Sequence, residues 1–378
     1  MDALVTDVHL RSALSGLRGL GRAGVRVTAV APGRLGAGRW SRYAAERLRS
    51  PDPGENPVGF AAAIGELARR DGPVLVYPGR EEALDALISP AARLPEEAIL
   101  PYSDPTSWAH LRDKRALVAP ATEAGLSPPR TLVEASAGEL ARDGGPTPCA
   151  LKPALPGGAM PTTRLVETEA ELRGLAGDLP ADEPLVVQER ADGPLTVLAV
   201  VIGRDGELVA RFQQLVHRTW PLGAGSSARA VSVEPDDDLV ERSRRLLAGA
   251  GFVGLAALDV VATSRGPALL DVNPRFYDSQ PLALACGVNL PAAWHGGFTG
   301  RQPPPLGDYR TGVSFRWLEA DVVGAFRHSP RLLLEPVPRP RAGSVWARDD
   351  PAPGVLLGAA MVTGRVGKRI HRRRRRPT

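Results

Sequence analysis

Apolar residues recur in two alternating rhythms along the first hundred positions. Runs such as ALVTD (3–7), VRVTAVA (25–31) and VLVYP (74–78) are short, continuous or alternating, as buried strands are. Between them, Leu10, Leu14, Leu17 and Leu20 repeat at helical spacing within HLRSALSGLRGLGRAG (9–24). AAAIGELARR (61–70) and EEALDALI (81–88) read as two further helices. Strand–helix–strand alternation predicts a parallel, doubly wound α/β domain over residues 1–104. The glycines of GLRGLGRAG fall inside and after the first helix. A dinucleotide-binding fingerprint needs them between strand and helix, so that motif is rejected.

The rhythm then changes. Residues 104–133 predict one helix, a second short helix broken at Pro120, and a strand after Pro128-Pro129. Strands follow at 148–155 and 184–190, with a helix at 167–176 between them. LTVLAVVIG (195–203) and ELVARFQQLV (207–216) flank Arg204-Asp205-Gly206, a strong hairpin signal. ARAVSVE (228–234), a helix over 237–251, and strands at 254–262 and 267–274 complete what reads as an antiparallel sheet with flanking helices. RQPPPLGDY (301–309) reads as a linker, and residues 301–367 as a small, weakly patterned α+β piece. The expected division is therefore 1–104, 105–300, 301–367 and a basic tail, 368–378.

Composition adds limits. The chain has 378 residues, enough for two or three cores, with 43% apolar and 24% charged residues, ordinary globular usage. Its net charge of +5 comes from the tail: seven Lys and Arg lie in 368–378 with no acid, leaving the rest at 40 basic against 42 acidic residues. Such a block is either a solvated, disordered end or an arm for a polyanion. No aromatics interleave with the arginines, so nucleic acid is not expected. Cys149 and Cys286 lie far apart without metal-ligand spacing, which excludes a disulfide scaffold or zinc site. MDALVTDVHL lacks the cationic start and apolar run of a signal peptide, and no stretch of 18 apolar residues occurs. A cytoplasmic protein with no membrane partner is the expectation.

The chemistry concentrates in LLDVNPRFYDS (269–279). Asp271 and Asn273, two apart on a strand, share a face and present hard oxygen donors suited to Mg²⁺. Arg275 adds a planar cation suited to phosphate or carboxylate. A hairpin between 254–262 and 267–274 would bring Asp259 beside Asp271 as a second anionic ligand. Upstream, Lys152 stands in mid-strand between apolar neighbours, a costly place unless it meets an anion. Gly157-Gly158 follow it and would let a backbone approach phosphate.

LKPALPGG, VVQERADG, AALDVV and LLDVNPRF, in that order, resemble the ATP-grasp superfamily, most closely its carboxylate–amine ligases. The resemblance covers about residues 105–297, and the N-terminal region is similar to the domain that usually precedes an ATP-grasp fold. It implies two α+β subdomains holding ATP between them. It further implies that Lys114, in a helix carrying Asp-Lys, and Lys152 bind phosphates. Gln188 and Glu189 match the hinge that holds adenine. Asp259, Asp271 and Asn273 match the Mg²⁺ (or Mn²⁺) ligands, and Arg275 the arginine facing the transferred phosphoryl group. Arg218 sits where related ligases place a cation near the acceptor. Arg42, in RWSRYAA, either helps bind substrate or is a surface arginine.

Three departures stand out. Asp271 replaces the usual Glu, Leu195 occupies the place of a ribose-binding acid with Asp192 as the available substitute, and the loop LPGGAMPTT is poor in glycine. The implied activity is ATP-dependent ligation of a small-molecule carboxylate to an amine through an acyl phosphate, with a homodimer as the default assembly. A bicarbonate- or formate-using enzyme, or a non-catalytic ATP-binding module, are the alternatives.

Overall fold

The computed structural model describes residues 1–33, 36–160, 162–301, 306–329, 331 and 342–362. The tail 368–378 and residues 302–305 of the expected linker lie outside these. By contact the chain groups into two compact units: Met1–Ile99 together with the segment from Ala342 onward, and Leu100–Arg341. The four-part division drawn from the sequence is kept as a proposal about independent domains.

In the first unit, β1 (Asp2–Val5), β2 (Val27–Ala31), β3 (Ala44–Arg49), β4 (Val74–Tyr77) and β5 (Ala98–Ile99) form a parallel sheet in the order β3-β2-β1-β4-β5. That order is the doubly wound arrangement the alternating pattern predicts. Helix α1 (Arg11–Arg22) buries Leu14, Leu17 and Leu20 and stops before Gly24, whose φ of 79° suits only a residue without Cβ. Its interior includes Gly16, Gly19 and Gly21, which places these glycines away from any strand–helix turn. Helix α2 (Pro57–Asp71) begins earlier than the apolar pattern suggests, because Asn56 accepts from the Gly59 N–H and Pro57 occupies the first turn. Helix α3 (Glu81–Ile88) follows β4 as expected.

The second unit opens with α4 (Pro105–Trp108), a 3₁₀ turn over Ala109–Arg112, and α5 (Val118–Glu123). Pro120 breaks nothing: it lies in the first turn of α5, where its missing N–H is not needed. Next come β6 (Thr131–Ser136), α6 (Ala137–Asp143), β7 (Cys149–Pro153), β8 (Arg164–Val166), α7 (Glu169–Gly177) and β9 (Pro184–Gln188). Their strands form an antiparallel sheet ordered β6-β9-β7-β8. The sequence reading passed over α6, although its start is a capping box: Ser136 and Glu139 satisfy each other's backbone N–H groups. Leu140, Leu151, Leu172, Leu185 and Val187 pack the core beneath this sheet.

A second antiparallel sheet contains β10 (Leu195–Ile202), β11 (Leu208–Trp220), β12 (Ser226–Ser232), β13 (Gly254–Thr263), β14 (Gly266–Asn273) and β15 (Ser314–Arg316), in the order β14-β13-β10-β11-β12-β15. The β10–β11 hairpin turns at Asp205-Gly206 as its sequence predicts, with Gly206 at φ 73°. Strand β11 runs four residues past the expected 216, so Arg218 lies on it. Helix α8 (Asp237–Gly249), capped by the Asp236 carboxylate, covers the sheet with α9 (Pro281–Cys286) and α10 (Leu290–Thr299), and α11 (Leu318–Arg327) follows β15. The helix of the closing segment, α12 (Ala352–Val362), belongs to the first unit.

Candidate active site

The β13–β14 hairpin sets the geometry. Ala257 pairs with Asn273, Leu258 with Val272 and Asp259 with Asp271, after which the register slips so that Val260 faces Leu269. Leu270 is the extra residue of this bulge, and bulges re-aim groups where pairing is interrupted. Its carbonyl accepts from the Lys152 ammonium at 3.4 Å. The bulge therefore does two things: it keeps the two aspartates side by side and turns a backbone acceptor toward the lysine.

Lys152 comes from the other sheet, on β7, where it pairs with Val186 of β9 and is buried. Lys114 lies not in a helix, as the family resemblance implies, but in the turn after Ala109–Arg112. Its backbone N–H donates to Ala154 O at 3.1 Å, which ties that turn to the end of β7. Its ammonium lies 3.2 Å from Asp271 Oδ1. Arg275 donates to Asn273 Oδ1 at 3.1 Å and to Phe276 O at 3.1 Å. Beneath the hairpin end, the Tyr102 hydroxyl donates to Pro274 O at 2.8 Å and packs between Trp108 and Trp294. These rings fix the strand end that carries Asn273 and Arg275, and nothing in the local motif announces them.

The electrostatics are unbalanced. Burial pushes the Lys152 ammonium down to about 8, against the opposing pull of Asp271 and with Lys114 adding to the fall. Burial pushes the Asp259 carboxyl up to about 7, reinforced by the charge of Asp271 and opposed by Arg275, Lys152 and Lys114. Five of the residues singled out in the sequence thus lie within electrostatic reach of one another. Two carboxylates and an amide form a hard oxygen donor set that fits a divalent cation only if further oxygens, such as those of a phosphate, complete it. Among the described residues no group of three or more His, Cys, Asp and Glu is arranged to hold a metal by itself.

Gln188 and Glu189 end β9 beside β6. Gln188 is buried and donates to the Thr131 hydroxyl at 3.4 Å. The Glu189 carboxylate accepts from Arg130 N and Arg265, and its backbone N–H donates to Arg130 O at 3.0 Å. Asp192 is exposed in the following loop. Gly157, with φ 84°, and Gly158 lie exposed in the loop after β7, which is tied down where Ala159 N donates to Glu183 Oε1 at 3.0 Å. A Cβ at Gly158 would meet that same carboxylate. Pro161 of this loop is outside the described residues.

Two candidates lie elsewhere. Arg218 is on β11, three strand positions from β14, about 14 Å by the usual strand spacing. It pairs with the buried Asp321 of α11, which also binds Arg229 at 3.0 Å and Arg316 at 2.6 Å. Sequence reasoning missed Arg229 and Arg316, although Arg229 gives the same signal as Lys152: a cation between apolar neighbours in mid-strand. Arg42 belongs to the first unit. Its backbone N–H donates to Asp350 Oδ1 at 2.8 Å and its guanidinium to Asp349 O.

No protein-family model matches the sequence, and a search of curated protein sequences finds no match. Solved structures do match. Rhizobium etli pyruvate carboxylase is 14% identical with a TM-score of 0.64, over 83% of this chain and 30% of that one. The biotin carboxylase domain of Hydrogenobacter thermophilus 2-oxoglutarate carboxylase, solved with MgADP and bicarbonate, is 16% identical with a TM-score of 0.61, over 83% and 73%. L-amino acid ligase from Bacillus licheniformis is 15% identical with a TM-score of 0.55, over 80% and 78%. This chain thus spans about a third of the pyruvate carboxylase and about three-quarters of the other two. Identities this low speak for architecture alone, and the architecture agrees with the order of motifs along the sequence: the chain has the ATP-grasp fold, in the form shared by biotin carboxylases and an L-amino acid ligase.

Proposed function

We propose that the protein is an ATP-dependent ligase that joins a carboxylate to an amine through an acyl phosphate, releasing ADP and phosphate. The observation that carries this reading is the convergence of Lys114 and Lys152 from one side of the fold on Asp259 and Asp271 of the β13–β14 hairpin, with Arg275 at its end.

In this reading Lys114 and Lys152 offset charge on the ATP phosphates, and Gln188 and Glu189 hold adenine at the end of β9. Asp192 takes the ribose, and the loop carrying Gly157 and Gly158 closes over the phosphates and excludes water. Asp259, Asp271 and Asn273 would hold Mg²⁺ or Mn²⁺, which would supply neutralisation of the phosphate charge. The substrate carboxylate oxygen bonds to the γ-phosphorus as the bond to the bridging oxygen breaks, its electron pair leaving on ADP. Arg275 stabilises the equatorial oxygens meanwhile. The amine nitrogen then bonds to the acyl carbon, the carbon–oxygen bond to phosphate breaks, and the nitrogen loses its proton. Positioning and electrostatics carry the rate, and no Ser or Cys nucleophile is required. Arg218 would face the acceptor and Arg42 the substrate. A cytoplasmic location and a homodimer complete the reading.

A second reading has a specific support: the similar biotin carboxylase domain was solved with bicarbonate. Bicarbonate would then be the acid, and adding it would stimulate ADP release with no amine present. The experiment for the site itself is thermal denaturation with ATP and Mg²⁺, beside Lys152→Ala. Binding to the native state raises the melting temperature by mass action. A Mg²⁺-dependent rise that the variant lacks supports the nucleotide site and justifies screening acids and amines for ADP release. No rise at millimolar ATP would reduce the reading to a likeness of fold.

A further inference from the structure

Arg275 stands in a stretch of chain that leaves the sheet and is bolted down beyond it. Strand β14 lies at the edge of the larger sheet and ends at Asn273. Pro274 O is then held by the Tyr102 hydroxyl at 2.8 Å. The next fixed points are far across the sheet. Asp278 Oδ2 accepts from the Ser226 hydroxyl of β12 at 2.9 Å, and Ser279 Oγ accepts from Gln214 Nε2 of β11 at 2.7 Å. The stretch 274–279 thus runs from the edge strand to strands three and four places away, with Arg275 between its ends. The Ser226–Asp278 bond lies partly in water; the Gln214–Ser279 bond is buried, where a hydrogen bond holds more tightly.

Gln214 is an odd residue for its place. Asp271 pairs with Asp259, Asp259 with Val197, and Val197 with Gln214, in one row across the sheet. Residues directly opposite one another share a face. Gln214 therefore stands on the face of the two aspartates, two strands or about 10 Å from Asp259. Phe212 and Val216, two residues to either side on β11, are buried and apolar, as packing alone would ask of position 214. Gln214 is buried too, together with Ser227 and Ser279. Its Nε2 meets both serine hydroxyls, Ser227 at 3.3 Å, whereas among the described residues its Oε1 has no hydrogen-bond partner. A buried amide left half satisfied costs stability that an apolar side chain of similar length would not.

We propose that Gln214 is a positioning residue: through Ser279 it fixes the stretch that carries Arg275, and so aims the guanidinium at the transferred phosphoryl group. The inference rests on the reading in which Arg275 stabilises that group. A donor is worth most to a reaction when it is held in place beforehand and need not reorient as charge develops. The cost of the half-satisfied amide is then the cost of that fixed aim.

The test needs no knowledge of the acid or the amine. MgADP with aluminium fluoride sets a planar fluoride where the equatorial oxygens of the transferred group would lie; MgADP alone does not. The affinity of the full-length protein for each is measured by calorimetry. Aluminium fluoride should tighten binding to the wild type, and Arg275→Ala should lose that gain. Gln214→Leu and Ser279→Ala should each lose about tenfold or more of it, while MgADP affinity stays within about twofold. Because the two side chains act through one bond, the double variant should lose no more than the worse single variant. Ser279→Ala removes a single hydroxyl, so it reports on the same bond should Gln214→Leu disturb the packing. The inference alone is overturned if Arg275→Ala loses the gain while Gln214→Leu and Ser279→Ala keep it. It is also overturned if both weaken MgADP alone to the same degree, as a general loss of structure would, or if their losses add. A wild type that binds no MgADP or gains nothing from aluminium fluoride, or an Arg275→Ala variant that keeps the gain, removes the role of Arg275 and this inference with it.

Discussion

Two clusters of buried charge, one in each unit, are built in opposite ways. In the first, Asp350 is buried and fully met: Arg18 donates to its Oδ2 at 2.8 Å, the Ser41 hydroxyl at 2.7 Å, and Arg42 N to its Oδ1 at 2.8 Å. Beside it, Asp349 accepts two bonds from Arg22 and one from the Tyr43 hydroxyl, and Arg22 and Tyr43 hold its carboxyl well below the usual range. In the second unit, Lys152 and Asp259 are both pushed toward neutrality, the lysine down and the acid up. Matched charges in the first unit pin the closing segment to α1 and to the 41–43 stretch. Mismatched charges in the second are held by the fold at a cost, which makes sense if a phosphate and a cation complete them. The same residue types therefore serve as a staple in one place and as a site in the other, and the partners tell them apart: Asp350 is met by three donors of its own unit, whereas burial outweighs the partners of Lys152 and Asp259.

The sharpest way to break this contrast is to remove charge from each side. Lys152→Ala and Asp271→Ala should each reduce ATP-dependent turnover by about 10³-fold or more, since Lys152 would offset phosphate charge directly and Asp271 would hold the cation that offsets the rest. Circular dichroism should show both folded, and wild-type ADP release by either would refute the assignment. Asp350→Ala should do the reverse. It leaves Arg18 buried without its carboxylate, a loss of about 3–5 kcal/mol measurable by denaturant titration, while MgATP affinity of the folded protein stays within about twofold. A large affinity loss in Asp350→Ala would mean that the staple belongs to the site.

How much of this was legible beforehand differs between the same two regions. The parallel sheet and the β10–β11 hairpin follow from local pattern, because period and turn residues are short-range signals: Leu14, Leu17 and Leu20 mark α1, and Asp205-Gly206 mark the turn. The pairing of Asp259 with Asp271 was legible for the same reason, since both lie on one hairpin. The bulge at Leu270 was not, because an extra residue in a strand leaves the apolar run unbroken. The placement of Lys114 was misjudged for a related reason. Helical spacing runs through 104–117, but the chain shifts to a 3₁₀ turn and spends the Lys114 N–H on Ala154 O, a partner forty residues away. The Asp349–Asp350 staple and the Arg229–Asp321 pair are contacts between distant segments, which no window of sequence displays; Arg316 lies only five residues from Asp321, yet nothing in that stretch announces the buried Arg229 that joins them. Order of motifs revealed the fold; which cations meet which acids came only from packing.

The mildest effect sharpens the comparison through pH. Asp259 has a native pKa of about 7 against an ordinary value of 3.8, so between these limits the native state holds a proton that the unfolded chain has lost. Stability from this group is therefore present at low pH and declines as pH rises from about 4 to about 7. Asp7, raised by burial to about 6, adds to the decline over the lower part of that window. Asp259→Asn removes the buried charge while keeping the shape, so it should raise the melting temperature at pH 8 by a few degrees, roughly 1–2 kcal/mol for a fold of this size. At pH 5 it should change little. Saturating MgATP should stabilise the wild type and give Asp259→Asn little or nothing, because the cation that would compensate the carboxylate has lost a ligand. If Asp259→Asn instead destabilises the protein at pH 8 and binds MgATP normally, Asp259 is a matched structural charge like Asp350, and the distinction between staple and site fails at its central residue.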